Sequence, residues 1–164
     1  MKHKIFGMTL ALMLSATGWA QGVSGISYVQ LDEDDISVAA LVGSVGYRYA
    51  INETVTLVPE LRGGIGVKDD SSAGVTVKIN GLVAGALRAE FAVSEPVYLF
   101  AAGSYGRYRV KATVPGAGSV SDANKDWGFG GGIGFNFGQN SSIELGYEDI
   151  GGLDAYSAGV RFKF

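Results

Sequence analysis

Apolar side chains recur at every second position along most of this sequence. Between residues 124 and 137, Trp127, Phe129, Ile133 and Phe135 alternate with small residues that are mostly glycine. A period of two predicts β-strands whose two faces meet different surroundings. The pattern marks eight strands, at residues 23–31, 35–49, 54–68, 75–92, 97–111, 124–137, 142–150 and 155–164.

The connections between these strands are short and alternate in kind. Three tight turns lie at residues 50–53, 93–96 and 138–141, and between them lie four other connections, at residues 32–34, 68–74, 112–123 and 151–154. Short connections favour strands that pair antiparallel in chain order, and closing such a meander removes its exposed edges. The sequence therefore predicts an all-β fold, an eight-stranded antiparallel up-and-down barrel that occupies residues 21–164 as one domain.

Charged residues within the strands keep to the less apolar face. A soluble barrel would turn that face outward, whereas a membrane barrel turns it inward because lipid surrounds the wall. Eight strands enclose a space just wide enough for side chains, so Trp127, Phe129 and Phe135 would crowd it if they pointed inward. The pattern therefore predicts a transmembrane β-barrel with a charged lumen. The predicted lumen charges are Arg48, Glu60, Arg62, Lys78, Arg88, Glu90, Glu144, Glu148 and Arg161.

These lumen charges are compatible with two arrangements. In so narrow a barrel, charges of both signs favour a network of ion pairs that fixes the strands, which suits a structural role. The same charges would also line a narrow channel for small solutes, which is the alternative function. A remote third alternative exchanges the two faces and makes the protein a soluble periplasmic carrier of a hydrophobic ligand.

The first twenty residues have the three parts of a secretory signal peptide. A basic start at residues 2–4 and an apolar run at residues 5–14 lead to Gly18 and Ala20, which suit a peptidase pocket before Gln21. The apolar run is about half of the ~20 residues that a membrane-spanning helix needs. We expect cleavage after residue 20 and export. The net charge of −3 disfavours binding to nucleic acid.

Few side chains remain for catalysis or cofactor binding. The sequence has no cysteine, and its single histidine, His3, lies in the predicted signal peptide. Thiolate metal sites, cysteine nucleophiles and histidine-based triads are therefore excluded from the chain after residue 20. We expect no cofactor and no enzymatic activity.

Acidic residues gather in the connections opposite the tight turns. Five of them are weak candidates for a divalent-cation site: Asp32, Asp34, Asp35, Asp69 and Asp70. Carboxylate oxygens suit calcium, although the spacing of a calcium-binding loop is missing. We hypothesise that cations at this rim bridge the protein to lipopolysaccharide phosphates. Nearby Arg107, Arg109 and Lys111 either contact such phosphates directly or balance the acids beside them.

Aromatic residues gather towards the ends of the strands. Two such groups are expected where a barrel wall crosses the two interfaces of a membrane. Towards the tight turns lie Tyr47, Tyr49, Phe91, Phe135, Phe137, Phe162 and Phe164, and towards the other end lie Tyr105, Trp127, Phe129 and Tyr156.

The last strand ends on phenylalanine behind alternating apolar residues. Tyr156, Ala158, Val160, Phe162 and Phe164 resemble the C-terminal assembly signal of bacterial outer-membrane barrels. Residues 46–49, 59–66, 127–135 and 144–148 resemble strands of the small OmpX/Ail and opacity-type family. The resemblance implies a closed barrel in the outer membrane of a Gram-negative bacterium, with periplasmic termini and insertion by the barrel-assembly machinery. We expect the barrel to be a monomer. It also implies lipid and lipopolysaccharide as neighbours, and a role in adhesion to an extracellular partner or in envelope integrity.

Overall fold

The computed structural model describes residues 20–33, 36–72, 75–114 and 118–164. Residues 1–19 of the predicted signal peptide, together with Asp34 and Asp35, lie outside these ranges. Within the described residues every regular element is a β-strand. These residues contain no helix long and apolar enough to cross a bilayer.

The strands form one antiparallel sheet that closes on itself. They are β1 (Ala20–Glu33), β2 (Ile36–Ala50), β3 (Val55–Lys68), β4 (Asp70–Ser72), β5 (Val75–Ala92), β6 (Val97–Val114), β7 (Gly118–Asn136), β8 (Ser141–Ile150) and β9 (Leu153–Lys163). The short β4 continues β3, since both pair with β5, so eight strands make up the wall. Pairing of β1 with β9, from Val23↔Lys163 to Asp32↔Asp154, closes the barrel. The predicted eight-stranded antiparallel up-and-down barrel is confirmed.

The two ends of the barrel differ. At the end that we call the turn end, residues 51–54, 93–96 and 137–140 join the strands, and β1 begins and β9 ends there. At the opposite end, the loop end, β8 and β9 are joined by Gly151 and Gly152, whose φ angles of 62° and 93° favour glycine.

The hairpin of β6 and β7 is longer than the sequence predicts. Its pairing continues to Val114↔Gly118, so most of the predicted connection at residues 112–123 is strand. Polar and small residues such as Ser119 and Ser121 hide the alternation there, but each still pairs with a residue of β6. In the described part of the chain, pairing between β7 and β8 begins only at Gly128↔Ile150. The hairpin therefore rises above the β8–β9 side of the wall.

The middle of the outer wall is apolar and exposed. Leu61 and Val83 face outward with 61% and 67% of their surface exposed. The predicted aromatic groups lie at both ends of this belt, with Phe91 and Phe135 towards the turn end and Trp127 towards the loop end, all of them exposed. A continuous apolar surface of this kind is what the outer wall of a membrane barrel presents to lipid.

Candidate functional site

Eight of the nine charged residues predicted for the lumen lie together in one chain of alternating charge. In order of contact the chain runs Glu148, Arg62, Glu60, Arg161, Glu144, Arg88, Glu90 and Arg48. The successive N···O distances are 2.7, 2.8, 3.0 and 3.6 Å up to Glu144. Glu144 and Arg88 are in close contact, and the last two distances are 3.2 and 2.8 Å. These residues come from β2, β3, β5, β8 and β9, so the chain ties distant parts of the wall across the lumen.

Arg88 is the most buried member of the chain, with 2% of its surface exposed. Its Nη1 donates a hydrogen bond to Glu144 at 3.0 Å. Its guanidinium carbon lies 3.6 Å from the centre of the Phe100 ring, a cation–π contact. Its Nε makes an ion pair with Glu90 without the alignment of a hydrogen bond. The side chain is therefore held by two carboxylates and one aromatic face.

Uncharged side chains that the sequence pattern did not predict complete the network. The Tyr98 hydroxyl donates to Glu144 at 2.5 Å and lies 2.9 Å from Ser142 Oγ. The Ser104 hydroxyl donates to Glu148. The only sign of these residues in the sequence is their position, because each lies on the inward face of its strand, as the charges of the neighbouring strand do. Buried carboxylates need such donors to fill their remaining hydrogen-bonding capacity.

Glycines of β7 make room for this network. A Cβ at Gly134 would run into the Tyr98 ring, one at Gly132 into Phe100, and one at Gly130 into the backbone of β8. The inward face of β7 therefore forms a shallow groove, and the rings from β6 lie over it. This close approach explains why glycine occupies alternate positions of this strand.

Lys78, the ninth predicted lumen charge, lies elsewhere. The register of β5 against β6 shifts between Ile79 and Gly81, so that side chains beyond the shift exchange faces. Ile79 points inward and is 5% exposed. The Lys78 side chain is half exposed, and its Nζ lies 3.6 Å from Asp69. Lys78 therefore lies outside the lumen network, contrary to the prediction from the sequence.

Towards the loop end the interior becomes apolar. Beyond Glu148 and Arg62, inward side chains form a hydrophobic cluster, which we call the apolar cap. Its buried members are Leu31, Val38, Ala40, Val42, Ile79, Leu82, Ile150 and Ala155. Strand alternation alone did not predict this cap, although the inward face of each contributing strand already carries larger apolar residues near the loop end.

At the same height along the barrel, the outer wall changes from apolar to charged. Asp154 of β9 lies opposite Asp32 of β1 on one side and Asp149 of β8 on the other, and all three neighbour cap residues in sequence. Between the aromatic groups the wall is thus apolar outside and ionic inside, whereas at the loop end it is charged outside and apolar inside. That reversal is expected where a barrel leaves lipid and enters water.

In the described part of the chain the predicted cation ligands each have protein partners. Asp32 accepts hydrogen bonds from Gln30 at 3.1 Å, Asp69 pairs with Lys78, and Asp70 accepts the Ser37 N–H at 2.7 Å. Among the residues that the structure describes, no group of three or more metal-ligating side chains is suited to an ion. Asp34 and Asp35 lie outside those residues.

The residues of the predicted assembly signal follow one another along β9. Tyr156 and Phe162 face outward and are about half exposed, with Ala158 and Val160 between them on the same alternate positions. The Phe164 N–H donates to the Gly22 carbonyl at 2.9 Å. A Cβ at Gly22 would meet the Phe164 ring at 2.5 Å, so glycine there leaves space for the terminal aromatic side chain.

Solved structures similar to this one are small outer-membrane barrels. They include Ail of Yersinia pestis, with 17% identity, a TM-score of 0.62, and coverage of 91% of this chain and all of Ail. The N-terminal barrel of Pseudomonas aeruginosa OprF has 14% identity and a TM-score of 0.62, with coverage of 88% of this chain and 99% of the OprF barrel. Neisserial surface protein A has 14% identity and a TM-score of 0.56, with coverage of 92% of this chain and 100% of that protein's chain. At these identities the likeness shows the fold.

Two sequence comparisons bear on the family to which this chain belongs. A search of curated proteins finds no match. The family described as outer membrane protein beta-barrel domain matches residues 6–164. Closed barrel, exposed apolar belt and family match agree, and the chain belongs to the outer membrane protein beta-barrel domain family of Gram-negative bacteria.

Proposed function

We propose that this protein is a non-enzymatic structural barrel that maintains the outer membrane and does not conduct solutes. The observation that supports this most is the reversal of polarity along the wall, with both halves of the lumen filled. The ion-pair chain occupies the half behind the lipid-facing belt, and the apolar cap occupies the half at the loop end. A barrel filled in this way resists deformation and offers no aqueous path.

The proposed orientation places the loop end outside the cell. Both chain ends then lie in the periplasm after removal of residues 1–20, and insertion by the barrel-assembly machinery uses the last strand as its signal. The charged outer wall at the loop end supports this orientation, because it would stand among the phosphorylated headgroups of the lipopolysaccharide leaflet. The monomer is the expected functional unit, since the barrel closes without a partner strand.

The competing function is a narrow channel. Against it stands the size of the space left between the ionic half and the apolar cap, a cavity of about 110 Å³, which has room for a few water molecules. Purified protein reconstituted in planar bilayers should therefore show no unitary conductance steps. Regular steps in a salt gradient would overturn the structural proposal in favour of the channel.

The envelope role has its own test. A strain lacking the protein should become more sensitive to detergents and large hydrophobic antibiotics, and plasmid expression should restore resistance. Unchanged sensitivity would contradict the role. The Ail structure determined with the heparin analogue sucrose octasulfate suggests a surface-binding role as a second possibility. Here only residues 34–35 separate β1 from β2, so a long adhesive loop is missing from this hairpin, and the structural role is favoured.

A further inference from the structure

Asn80 and Gly81 form the one Asn–Gly pair in the sequence. They lie at the register shift of β5, where the pairing with β6 passes from Ile79 directly to Gly81. On the other edge of β5, the pairing with β4 ends at Val77 and that with β3 begins at Leu82. Asn80 therefore has no register partner in the described part of the chain, as is expected for the extra residue of a bulge.

The Asn80 side chain is exposed and is not held by the protein. Within the described residues its carboxamide makes no hydrogen bond. Other asparagines differ, since Asn52 accepts two backbone N–H groups at 2.9 and 2.8 Å, and Asn136 accepts a hydrogen bond from Lys163 at 3.0 Å. The Asn80 carboxamide can therefore turn towards its own backbone.

The neighbouring glycine leaves the backbone nitrogen at position 81 accessible. Ile79 and Leu82 point inward and are buried, so Asn80 and Gly81 between them both lie on the outer surface. A Cβ at Gly81 would meet only the Gly64 carbonyl oxygen, at 3.7 Å. No side chain shields the Gly81 nitrogen from the carboxamide that precedes it.

Two cations flank the pair at the loop end. Arg109, the register partner of Gly81, lies four residues beyond Tyr105 along β6, so the pair stands past the aromatic residues and in water. In the described part of the chain Arg109 forms no ion pair, and Lys78 has only Asp69, at 3.6 Å. A carboxylate at position 80 would therefore stand beside cations, and opposite charges at neighbouring positions of a sheet stabilise it.

We propose that the Asn80–Gly81 pair is a site of spontaneous deamidation in the folded barrel, and that the resulting carboxylate pairs with Lys78 and Arg109. Asparagine is among the chemically labile residues of proteins. The Gly81 nitrogen attacks Cγ of Asn80 and loses its proton, the Cγ–Nδ2 bond breaks, and ammonia leaves with that proton. Water then opens the cyclic imide at either carbonyl, which gives aspartate or isoaspartate.

The two cations favour this reaction as well as its product. Negative charge develops on Oδ1 of Asn80 during the attack, and a nearby guanidinium or ammonium group stabilises such an oxyanion. Each conversion lowers the net charge of the protein by one. The reaction needs water but no oxidant and no cofactor.

The test follows conversion of Asn80 by peptide mass spectrometry, with aspartate and isoaspartate products both counted, in detergent-solubilised barrel and in urea-unfolded chain. The matched control is Lys125→Gly, which places glycine after Asn124, an exposed asparagine with a register partner, Tyr108. In the folded variant Asn80 should react at least about tenfold faster than Asn124. In the unfolded chain the two rates should agree within about threefold, because only the fold distinguishes the two pairs.

Two further variants separate the reaction from its product. Gly81→Ala, which fits the open surface, should slow conversion of Asn80 at least about tenfold, and circular dichroism checks that the barrel is intact. Asn80→Asp, which supplies the carboxylate directly, should unfold at a higher urea concentration than wild type at low salt. High salt should remove that difference, because it screens exposed ion pairs.

Three outcomes would overturn the proposal. They are equal rates at Asn80 and Asn124 in the folded Lys125→Gly variant, an unchanged rate in Gly81→Ala, and an Asn80→Asp barrel no more stable than wild type at low salt. The result is separable from the proposed function, because a barrel that conducts solutes would refute that function and leave the measured rates unchanged.

Discussion

The two halves of the lumen hold the wall together by different forces. Behind the lipid-facing belt, the ion-pair chain links β2, β3, β5, β8 and β9 through paired, directional contacts. At the loop end, the apolar cap joins β1, β2, β5, β8 and β9 by the burial of hydrocarbon. In each half the polarity of the lumen is opposite to that of the outer wall around it: the ionic half lies behind an apolar wall, and the apolar cap lies behind a charged one.

The difference between the halves shows where apolar burial and where ion pairs can stabilise a membrane barrel. Burial of apolar side chains stabilises a fold only relative to water, so it works at the loop end and not behind a wall that lipid already covers. In the membrane, ion pairs take over the linking role, but each charge depends on its partners because desolvation is not repaid by a lone ion. Damage should therefore be severe and coupled in the ionic half, and graded in the cap.

Removal of Arg88 should produce the largest effect. Arg88→Ala leaves Glu144 and Glu90 buried without their shared cation and removes the contact with Phe100, so the free energy of unfolding should fall by about 3–5 kcal/mol. Urea titration of the barrel in detergent, followed by its heat-modifiable migration on gels, measures the loss. Lys78→Ala, which removes a half-exposed cation from the same strand, should change stability by less than about 0.5 kcal/mol.

A double variant sharpens this result. Arg88→Ala combined with Glu144→Ala should cost less than the sum of the two single changes, because each single change takes one counter-ion away from a buried charge that the double change removes as well. Additive costs would show that the chain is a set of independent contacts and would break the contrast with the cap.

An arginine placed on the outer wall probes the boundary between the halves from outside. Leu61 lies midway along β3 and faces outward, so Leu61→Arg should destabilise the inserted barrel by about 2–4 kcal/mol. Ser121→Arg, at the loop end of β7 and beyond the aromatic residues, should cost less than about 1 kcal/mol. Unfolding in lipid vesicles measures both. Equal costs would mean that the reversal of polarity does not mark the edge of the lipid.

Truncation in the apolar cap should have a smaller effect. Leu82→Ala removes a buried side chain next to an existing cavity and should cost about 2 kcal/mol, the low end for a core leucine. Leu87→Ala on the same strand, where the side chain faces lipid, is the matched control and should cost less. A loss for Leu82→Ala as large as that for Arg88→Ala would remove the distinction between the halves.

The parity of the strands made much of this molecule predictable. A period of two separates inward from outward positions without knowledge of the register, so the closed barrel and the inward position of the eight charges that meet in the lumen follow from the sequence alone. The order of the charges along the ion-pair chain does not follow from the sequence, because it depends on which residues of distant strands lie opposite each other. Hydroxyl partners such as Tyr98 and Ser104 carry no separate signal for the same reason.

Lys78 and Ile79 show a second limit. Simple alternation predicts Lys78 inside and Ile79 outside, but the register shift at Asn80 exchanges them. Burial supplies the reason, because Ile79 joins the apolar cap and Lys78 reaches Asp69. A strand pattern read with one fixed phase misses such a shift. It also misses the level at which the interior changes from ionic to apolar, which is why the cap was not foreseen.

The smallest expected effect concerns pH at the loop end. Hydrogen bonds from the side chains of Ser37 and Gln30 hold the pKa of Asp32, which lies above the lipid-facing belt, below its usual range. Because the folded state has the lower pKa, Asp32 contributes stability above the unfolded pKa of about 3.9, and that contribution is lost as the pH falls through the folded value. Wild type should therefore be slightly more stable than Asp32→Asn at neutral pH, and the difference should disappear in acid. Gln30→Leu, which removes one donor, should narrow the difference at neutral pH. A gap between wild type and Asp32→Asn that stays constant down to about pH 3 would show that the carboxylate charge at this position has no role in holding the β1–β2 hairpin.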